Sequence, residues 1–194
     1  MDRYQIFCDP CEGLFPTRLD ALYGQLRAYI SEERAAGRHL QYTKIFLSDI
    51  ANQEHVMMQS ALMKDIVGRA AYAVIQQSPV NGAKIGLLVK TSSNANPYVL
   101  HSLRLTDEEA MNFGSYVQTV MLFEKYMAIL KEQGLTLKDH CVRTWIYVRD
   151  IDTNYDGMVK ARNDIFRQQL RSIYTLTRPT LYIPLLTGLP PMYF

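Results

Sequence analysis

The residues with the strongest metal-binding or redox chemistry in this sequence are its three cysteines and four histidines. Cys8 and Cys11 have the two-residue spacing that is found in zinc ligands and in redox pairs. No second pair of cysteines or histidines follows at zinc-finger distance, and the next predicted helix begins only near Pro16. The sequence therefore favours two reduced cysteines in a turn, with no bound metal and no cofactor.

The histidines and the other reactive side chains show no catalytic spacing. The histidines are spread over predicted turn, helix and strand positions, at His39, His55, His101 and His140. The sequence also lacks a phosphate-binding loop, a nucleophile motif and a pair of carboxylates at catalytic spacing. These patterns assign no catalytic residue.

One predicted strand, residues 141–148, carries large aromatic side chains beside a cation. Its β-branched and aromatic residues alternate, which places Arg143, Trp145 and Tyr147 on one face. Two large aromatic rings are poorly suited to a face that contacts only water. We expect a second sheet, another subunit or a ligand to cover this face, and packing against the other half of the chain is the simplest of these explanations.

An amphipathic helix precedes this strand. We predict that it begins with a capping box formed by Ser115 and Gln118 and that it ends at Gly134, while Thr106 and Glu109 form an earlier capping box. The apolar stripe of the helix consists of Val120, Phe123, Met127 and Leu130. This stripe should cover the strand face that consists of Val142, Thr144, Ile146 and Val148, and together with Ile146 it should form a core.

The first half of the chain predicts a similar order of elements. In chain order these are a strand over residues 4–8, a helix from Pro16 to Gly37 with Thr17 as its N-cap, a strand over 41–49, a helix over 51–71 and strands over 72–78 and 83–89. The last two strands are joined through Pro79-Val80-Asn81-Gly82, and Asn-Gly is typical of a hairpin turn.

Two strands in the two halves of the chain align without a gap. Residues 43–50 and 144–151 are identical at their Thr, Ile, Asp and Ile positions, and each strand lies between a glycine-terminated helix and another helical stretch. This agreement indicates an internal duplication. Lys44 and Phe46 correspond to Trp145 and Tyr147, so we predict that these positions and Arg143 form an inter-module or oligomer face.

The composition is that of an ordinary globular protein. Of the 194 residues, 48% are hydrophobic and 21% are charged, and the net charge of +2 includes no long basic run. Nucleic acid and membrane are therefore not expected as partners. No apolar run is long enough to span a bilayer, and the first residues lack a signal-peptide pattern, so we expect a cytoplasmic protein.

The stretch QTVMLFEKYMAILKEQGLTLKDHCVRTWIYVRDI resembles the middle of the Rid/YjgF superfamily. Members have a helix that begins with Gln-Thr and ends in an Ala-Ile-Leu type segment and glycine, followed by a basic-Thr strand that closes in Asp-Ile or Asp-Leu. Those positions here are Gln118, Thr119, Ala128, Ile129, Leu130, Gly134, Arg143, Thr144, Asp150 and Ile151. The strong match covers residues 115–166, and the segment RTWIYVRDI is also similar to the chorismatase branch, whose chains contain two such modules.

The resemblance implies an α/β protein of the α+β type. It would consist of two tandem Rid/chorismate-mutase-like modules, over residues 1–92 and 97–194, each a small mixed sheet with two helices on one face. A linker composition over residues 91–97 divides them. Modules of this superfamily assemble as trimers, so we expect a homo-oligomer with a trimer-like arrangement of modules.

The end of the second module departs from the family pattern. Residues 170–194 contain four prolines, which disfavour a regular central pair of strands, and the closing strands of the family have no counterpart. Either this module is incomplete at its C-terminus or the reading frame changes near Gln169, and the sequence favours the second explanation.

The resemblance also suggests ligand-binding residues. In Rid enzymes an arginine at the start of the first closing strand binds a substrate carboxylate, and a glutamate on the next strand positions water for imine hydrolysis. Arg69 lies one residue from that arginine position relative to Pro79, and Arg178 mimics it in the second module. The glutamate position falls within residues 86–88, which contain no acid.

Two functions follow as expectations. The resemblance implies a hydrolase or deaminase that acts on a small carboxylate-bearing enamine or imine, or on a chorismate-like enol ether. The alternative is a non-catalytic small-ligand-binding or oligomer-assembly module of the same fold, which the missing acid favours for the first module.

Overall fold

The structure, a computed structural model, describes residues 1–10, 12–94, 99–171 and 188–193, and the side chains up to Gln169. The chain divides into two compact units, Met1–Leu100 and His101–Phe194. Each unit has its own sheet and its own hydrophobic cluster. The last strand of unit 1 in chain order runs to Ser92. Thr91 and Ser92, which the sequence analysis predicted as linker residues, are therefore buried strand residues. That the two units are copies of one module stays a prediction.

Unit 1 has six main elements. They are β1 (Asp2–Cys8), α1 (Phe15–Ala35), β2 (His39–Leu47), α2 (Ile50–Gln59), β3 (Ala71–Gln76) and β4 (Ile85–Ser92). A π-helical turn, Leu62–Ile66, and a 3₁₀ turn, Val67–Arg69, connect α2 to β3, and a further 3₁₀ turn, Val80–Gly82, connects β3 to β4.

The sheet of unit 1 is mixed, with the strand order β1-β4-β2-β3. β4 is antiparallel to both of its neighbours, and β3 is parallel to β2. The predicted hairpin between the last two strands is therefore wrong, although Asn81 and Gly82 do have the positive φ angles that such a turn needs. Because Ile85, Leu87 and Val89 are completely buried, β4 takes a central place that a hairpin partner at the sheet edge would not have.

The helices of unit 1 lie on one face of this sheet, as predicted. Their buried side chains form one cluster with those of the strands, and its most buried members are Leu22, Leu26, Ile45, Leu47, Met57, Leu62, Val67, Ile85, Leu87 and Val89. α1 ends before Gly37, whose φ of 73° closes the helix as expected.

Two helix boundaries in unit 1 differ from the prediction. Leu14 rather than Thr17 is the N-cap of α1, because the helix begins early enough to place Pro16 in its first turn. The leucine side chain has no hydrogen-bond acceptor and therefore forms no cap. The predicted helix over 51–71 breaks after Gln59. Ser60 has extended backbone angles there, and its hydroxyl donates a hydrogen bond to the carbonyl of Met57, which competes with a further helical turn.

A buried carboxylate attaches α1 to the sheet. Glu33 is only 2% exposed and accepts hydrogen bonds from Arg3 of β1, from Arg38 and from the hydroxyl of Thr91 of β4. The hydrogen bonds from Arg38 outweigh the effect of burial and lower the pKa of Glu33 to about 2. Two guanidinium groups and one hydroxyl therefore hold this side chain as an anion.

Seven elements are found among the described residues of unit 2. They are β5 (Leu103–Arg104), α3 (Asp107–Ala110), α4 (Ser115–Glu132), α5 (Leu137–His140), β6 (Arg143–Ile146), α6 (Ile151–Arg171) and β7 (Gly188–Tyr193). β7 lies between β5 and β6 and is parallel to both, so residues 188–193, for which the sequence predicted no regular central pair of strands, form a single central strand. The pairing of β7 with β6 is irregular, which fits a strand that contains proline.

The start of α4 also differs from the prediction. Gly114 is its N-cap. The side-chain amide of Gln118 donates hydrogen bonds to the carbonyls of Ala110 and Phe113 and does not form a capping box with Ser115. The predicted capping box of Thr106 and Glu109 is confirmed at α3.

The buried stripe of α4 is slightly rotated relative to the predicted one. Phe123 and Leu130 are buried as expected, whereas Val120 and Met127 are only half-buried. The other buried positions of the stripe are Thr119, Leu122 and Tyr126. The ring of Phe123, 1% exposed, meets the ring of Phe166 edge to face, with 5.7 Å between the centroids. Ile146 packs against this cluster from β6.

We predict that Glu33→Gln lowers the free energy of unfolding at pH 7 by about 3 kcal/mol, because two arginines lose a buried anionic partner. The folded-state pKa of Glu33 is depressed from its ordinary value of 4.5 to about 2. Its contribution is therefore complete above pH 4.5 and is lost as the pH falls towards 2. Chemical denaturation across this pH range measures the difference in the free energy of unfolding between wild type and Glu33→Gln.

The exposed neighbour Glu32 provides the matched control, and Glu32→Gln should change stability by less than about 0.5 kcal/mol. A gap between wild type and Glu33→Gln that stays constant from pH 7 to pH 2 would contradict the buried anion.

Phe123→Ala should cost about 3–5 kcal/mol of stability, because a completely buried ring is replaced by a cavity. Urea denaturation, followed by circular dichroism, measures this loss. Phe113, 47% exposed, is the control, and Phe113→Ala should cost less than about 1 kcal/mol. Equal losses for the two variants would show that the buried face of α4 is misassigned.

Candidate anion-binding cleft

A cleft with a volume of about 410 Å³ opens in unit 1 between α1 and the turns that follow α2. Its lining consists of Tyr23, Arg27, Ile30, Ser31, Arg34, Asp65, Ile66 and Arg69. Small-molecule sites in proteins are clefts of this size, with apolar surface and a few polar groups.

One wall of the cleft is a stripe of α1. Tyr23, Arg27, Ile30 and Arg34 recur at intervals of three or four residues, which places them along one side of the helix. The neighbouring stripe, which ends in Glu33, is buried against the sheet. The contacts of the buried stripe with the sheet therefore set the direction in which the arginines extend.

The opposite wall is the irregular chain between α2 and β3. In the π-helical turn Leu62, Met63 and Ile66 are buried, whereas Asp65 is exposed towards the cleft. At Gly68 a Cβ atom would lie 2.8 Å from the carbonyl oxygen of Met63, so the chain can turn here only with glycine. This close turn brings Arg69 to the cleft, where its Nε donates to the carbonyl of Lys64 at 3.4 Å. π-Helical turns are frequent at functional sites.

The charge of the cleft is positive. Three exposed guanidinium groups face one carboxylate, and no ion pair found among the described residues includes Arg27, Arg34 or Arg69. The Asp65 carboxylate accepts a hydrogen bond from the phenol of Tyr23 at 2.9 Å, and this bond raises the pKa of Tyr23. The cleft therefore has the electrostatics of an anion site.

Of the two arginines that were predicted to bind a ligand, the structure describes one. Arg69 lines the cleft directly before β3, and its role in ligand binding stays a prediction. Arg178 lies outside the described residues. β4 carries no acid, as the sequence indicated, and at the start of this strand the carboxylate of Asp9 accepts hydrogen bonds from the backbone N–H groups of Lys84 and Ile85.

Sequence reasoning missed Arg27, Arg34 and Asp65. The seven-residue spacing of Arg27 and Arg34, beside Tyr23 on the same helix side, is a signal that the sequence contains. Asp65 gives no comparable signal, because its position depends on the π-helical turn.

The residues predicted for an inter-module or oligomer face lie on a strand in each unit. Lys44 is buried and Phe46 is half-buried on β2. On and after β6, Arg143 is exposed and lies 5.5 Å from the centre of the Trp145 ring, while Trp145 and Tyr147 are half-buried. Their role in assembly stays a prediction.

Neither a metal-binding cluster nor a membrane-spanning helix occurs in the part of the chain that the structure describes. It contains no group of three or more His, Cys, Asp or Glu side chains placed to hold a metal ion. None of its helices is both long enough and apolar enough to cross a bilayer. Cys141 is a free thiol there, and burial raises its pKa to about 11. Cys11 lies outside the described residues.

The fold and the cleft define an α+β protein with an arginine-lined cleft beside a four-stranded mixed sheet. No family model matches the sequence, and no curated protein is similar enough to count as a relative. Among solved structures, the chain is similar to a protein from Salmonella typhimurium that is provisionally assigned as a translation initiation inhibitor. The identity is 16% over 47% of this chain and 81% of that chain, with a TM-score of 0.39.

A second similar structure is NMB1025 from Neisseria meningitidis, a member of the YjgF protein family. The identity is 14% over 46% of this chain and 76% of that chain, with a TM-score of 0.36. The internal duplication and the similarity to chorismatases stay predictions.

Proposed function

We propose that the cleft of unit 1 binds a small carboxylate-bearing molecule and that the chain is a binding module rather than a hydrolase. The observation that supports this proposal is the presence of three arginines, from two separate elements, around one cleft of small-molecule size. Guanidinium groups match carboxylates in both charge and planar geometry, and such charge-assisted hydrogen bonds are stronger than neutral ones.

The rest of the lining suits the body of such a molecule. Ile30 and Ile66 are buried side chains at the cleft surface, and they offer apolar contact to a hydrocarbon group. Ser31 and the phenol of Tyr23 add polar groups. A metabolite with an anionic end and an apolar body uses both kinds of surface.

Titration with 2-oxobutanoate, a small monocarboxylate, should give saturable binding, measured by isothermal titration calorimetry or by NMR shifts of cleft residues. Arg69→Gln should weaken this binding by about tenfold, because one charge-assisted hydrogen-bond pair is lost. Arg149, an exposed arginine of unit 2, is the charge-matched control. The absence of saturable binding, or an equal effect of Arg149→Gln, would contradict a ligand role for the cleft.

Hydrolysis of an imine or enamine at the same cleft is the second candidate, and Asp65 is the observation that favours it. An acid absent from β4 is here present beside Arg69. In such a reaction the arginine holds the substrate carboxylate, and Asp65 accepts a proton from the water that attacks the imine carbon. However, Asp65 is exposed to water and already bonded to Tyr23, and charge stabilisation is weak in a site open to water.

We therefore expect no catalysis in an assay that generates 2-aminoacrylate and follows the release of pyruvate or ammonia. Wild type, Arg69→Gln and Asp65→Asn should all match the uncatalysed rate. Release well above that rate, lost in both variants, would make the chain a hydrolase of Rid type. Fast release that neither variant affects would show that any active site lies away from this cleft.

The family resemblance implies that the protein partner of this chain is another copy of the same chain. On β1, Tyr4 and Ile6 are exposed large side chains on the sheet face opposite α1 and α2. Apolar side chains on an open sheet face support the proposal of a homo-oligomer.

A further inference from the structure

We infer that the ligand of the unit 1 cleft is a dicarboxylate with a short hydrocarbon body. This inference rests on the proposed binding function and names the chemical class of its ligand. The ionisable arginines and aspartate of the lining, Arg27, Arg34, Arg69 and Asp65, carry a formal charge of three minus one, or +2. A dianion neutralises this charge, whereas a monocarboxylate leaves one guanidinium group without an anion.

The spacing of the arginines favours two separate acidic groups. Arg27 and Arg34 are seven residues apart on α1, so their Cα atoms are separated by a rise of about 10.5 Å along the helix. Arg69 comes from the opposite wall. A molecule with a carboxylate at each end can therefore contact arginines at both ends of the stripe, while a single carboxylate contacts one part of it.

The surface between the arginines includes apolar side chains. Ile30 lies between Arg27 and Arg34 in the stripe, and Ile66 lines the cleft from the π-helical turn. A short chain of methylene groups can contact these two side chains where they reach the cleft surface. Inorganic phosphate, which has no apolar part, uses the arginines alone.

Asp65 distinguishes a plain dicarboxylate from an amino acid. Its carboxylate is held by the phenol of Tyr23 within the lining. A ligand ammonium group would be attracted to Asp65, whereas a second ligand carboxylate is repelled by it. Removal of this charge should therefore strengthen the binding of a dicarboxylate and weaken the binding of an amino acid.

The test compares glutarate with pentanoate, which has the same number of carbon atoms and one carboxylate fewer. Calorimetric titration of the full chain should show glutarate binding at least about tenfold more tightly, because one more charge-assisted pair is formed. Arg27→Gln and Arg34→Gln should each weaken glutarate binding by about tenfold, and at least one of them should leave pentanoate binding unchanged. Asp65→Asn should strengthen glutarate binding severalfold.

Arg149→Gln is again the matched control and should leave both affinities unchanged, and thermal melting of each variant shows whether it is folded. Equal affinities for pentanoate and glutarate would overturn the dicarboxylate inference and leave the proposed function intact. The inference would also be overturned if inorganic phosphate bound as tightly as glutarate. It would likewise be overturned if L-glutamate bound more tightly than glutarate and Asp65→Asn weakened the binding of L-glutamate. If none of the four compounds binds, the proposed function itself fails.

Discussion

A desolvated carboxylate on the inner side of α1 is the constraint on which the rest of unit 1 depends. Glu33 receives guanidinium groups from Arg3 and Arg38 and a hydroxyl from Thr91, so it connects the helix to β1 and β4 at once. An unpaired anion at this depth would be strongly unfavourable, which leaves α1 little freedom to rotate about its axis. Arg34, the next residue, consequently lies on the neighbouring stripe of the helix, which lines the cleft.

Features that depend on one helical turn were predictable from the sequence. Gly37 and Gly134 both have left-handed backbone angles at helix ends, and the capping box of Thr106 and Glu109 closes within three residues. Strand pairing was not predictable in this way. The turn at Asn81 has the backbone that a hairpin requires, yet β4 pairs elsewhere, because its position is decided by burial of its own side chains rather than by the turn.

The candidate site likewise combines a residue that the sequence suggested with residues that it did not. Arg69 was suggested by the family resemblance, from its position relative to Pro79 in the sequence. Asp65 comes from a turn that is neither α-helical nor extended, and periodicity arguments do not describe such a turn. Arg27 and Arg34 line a cleft only because that turn lies beside α1, so the charge of the cleft is a property of the tertiary structure.

The central place of β4 has a consequence for biosynthesis. β1 is made first, but it pairs only with β4, the last strand of its sheet in chain order. Until residue 92 has left the ribosome, β1 has no strand beside it, and β2 presents an unpaired edge to solvent. Closing a sheet across more than eighty residues is slow, and open strand edges associate readily with other chains. The interval before β4 inserts is therefore the time at which the nascent chain is most prone to aggregate, and at which a chaperone would protect it best.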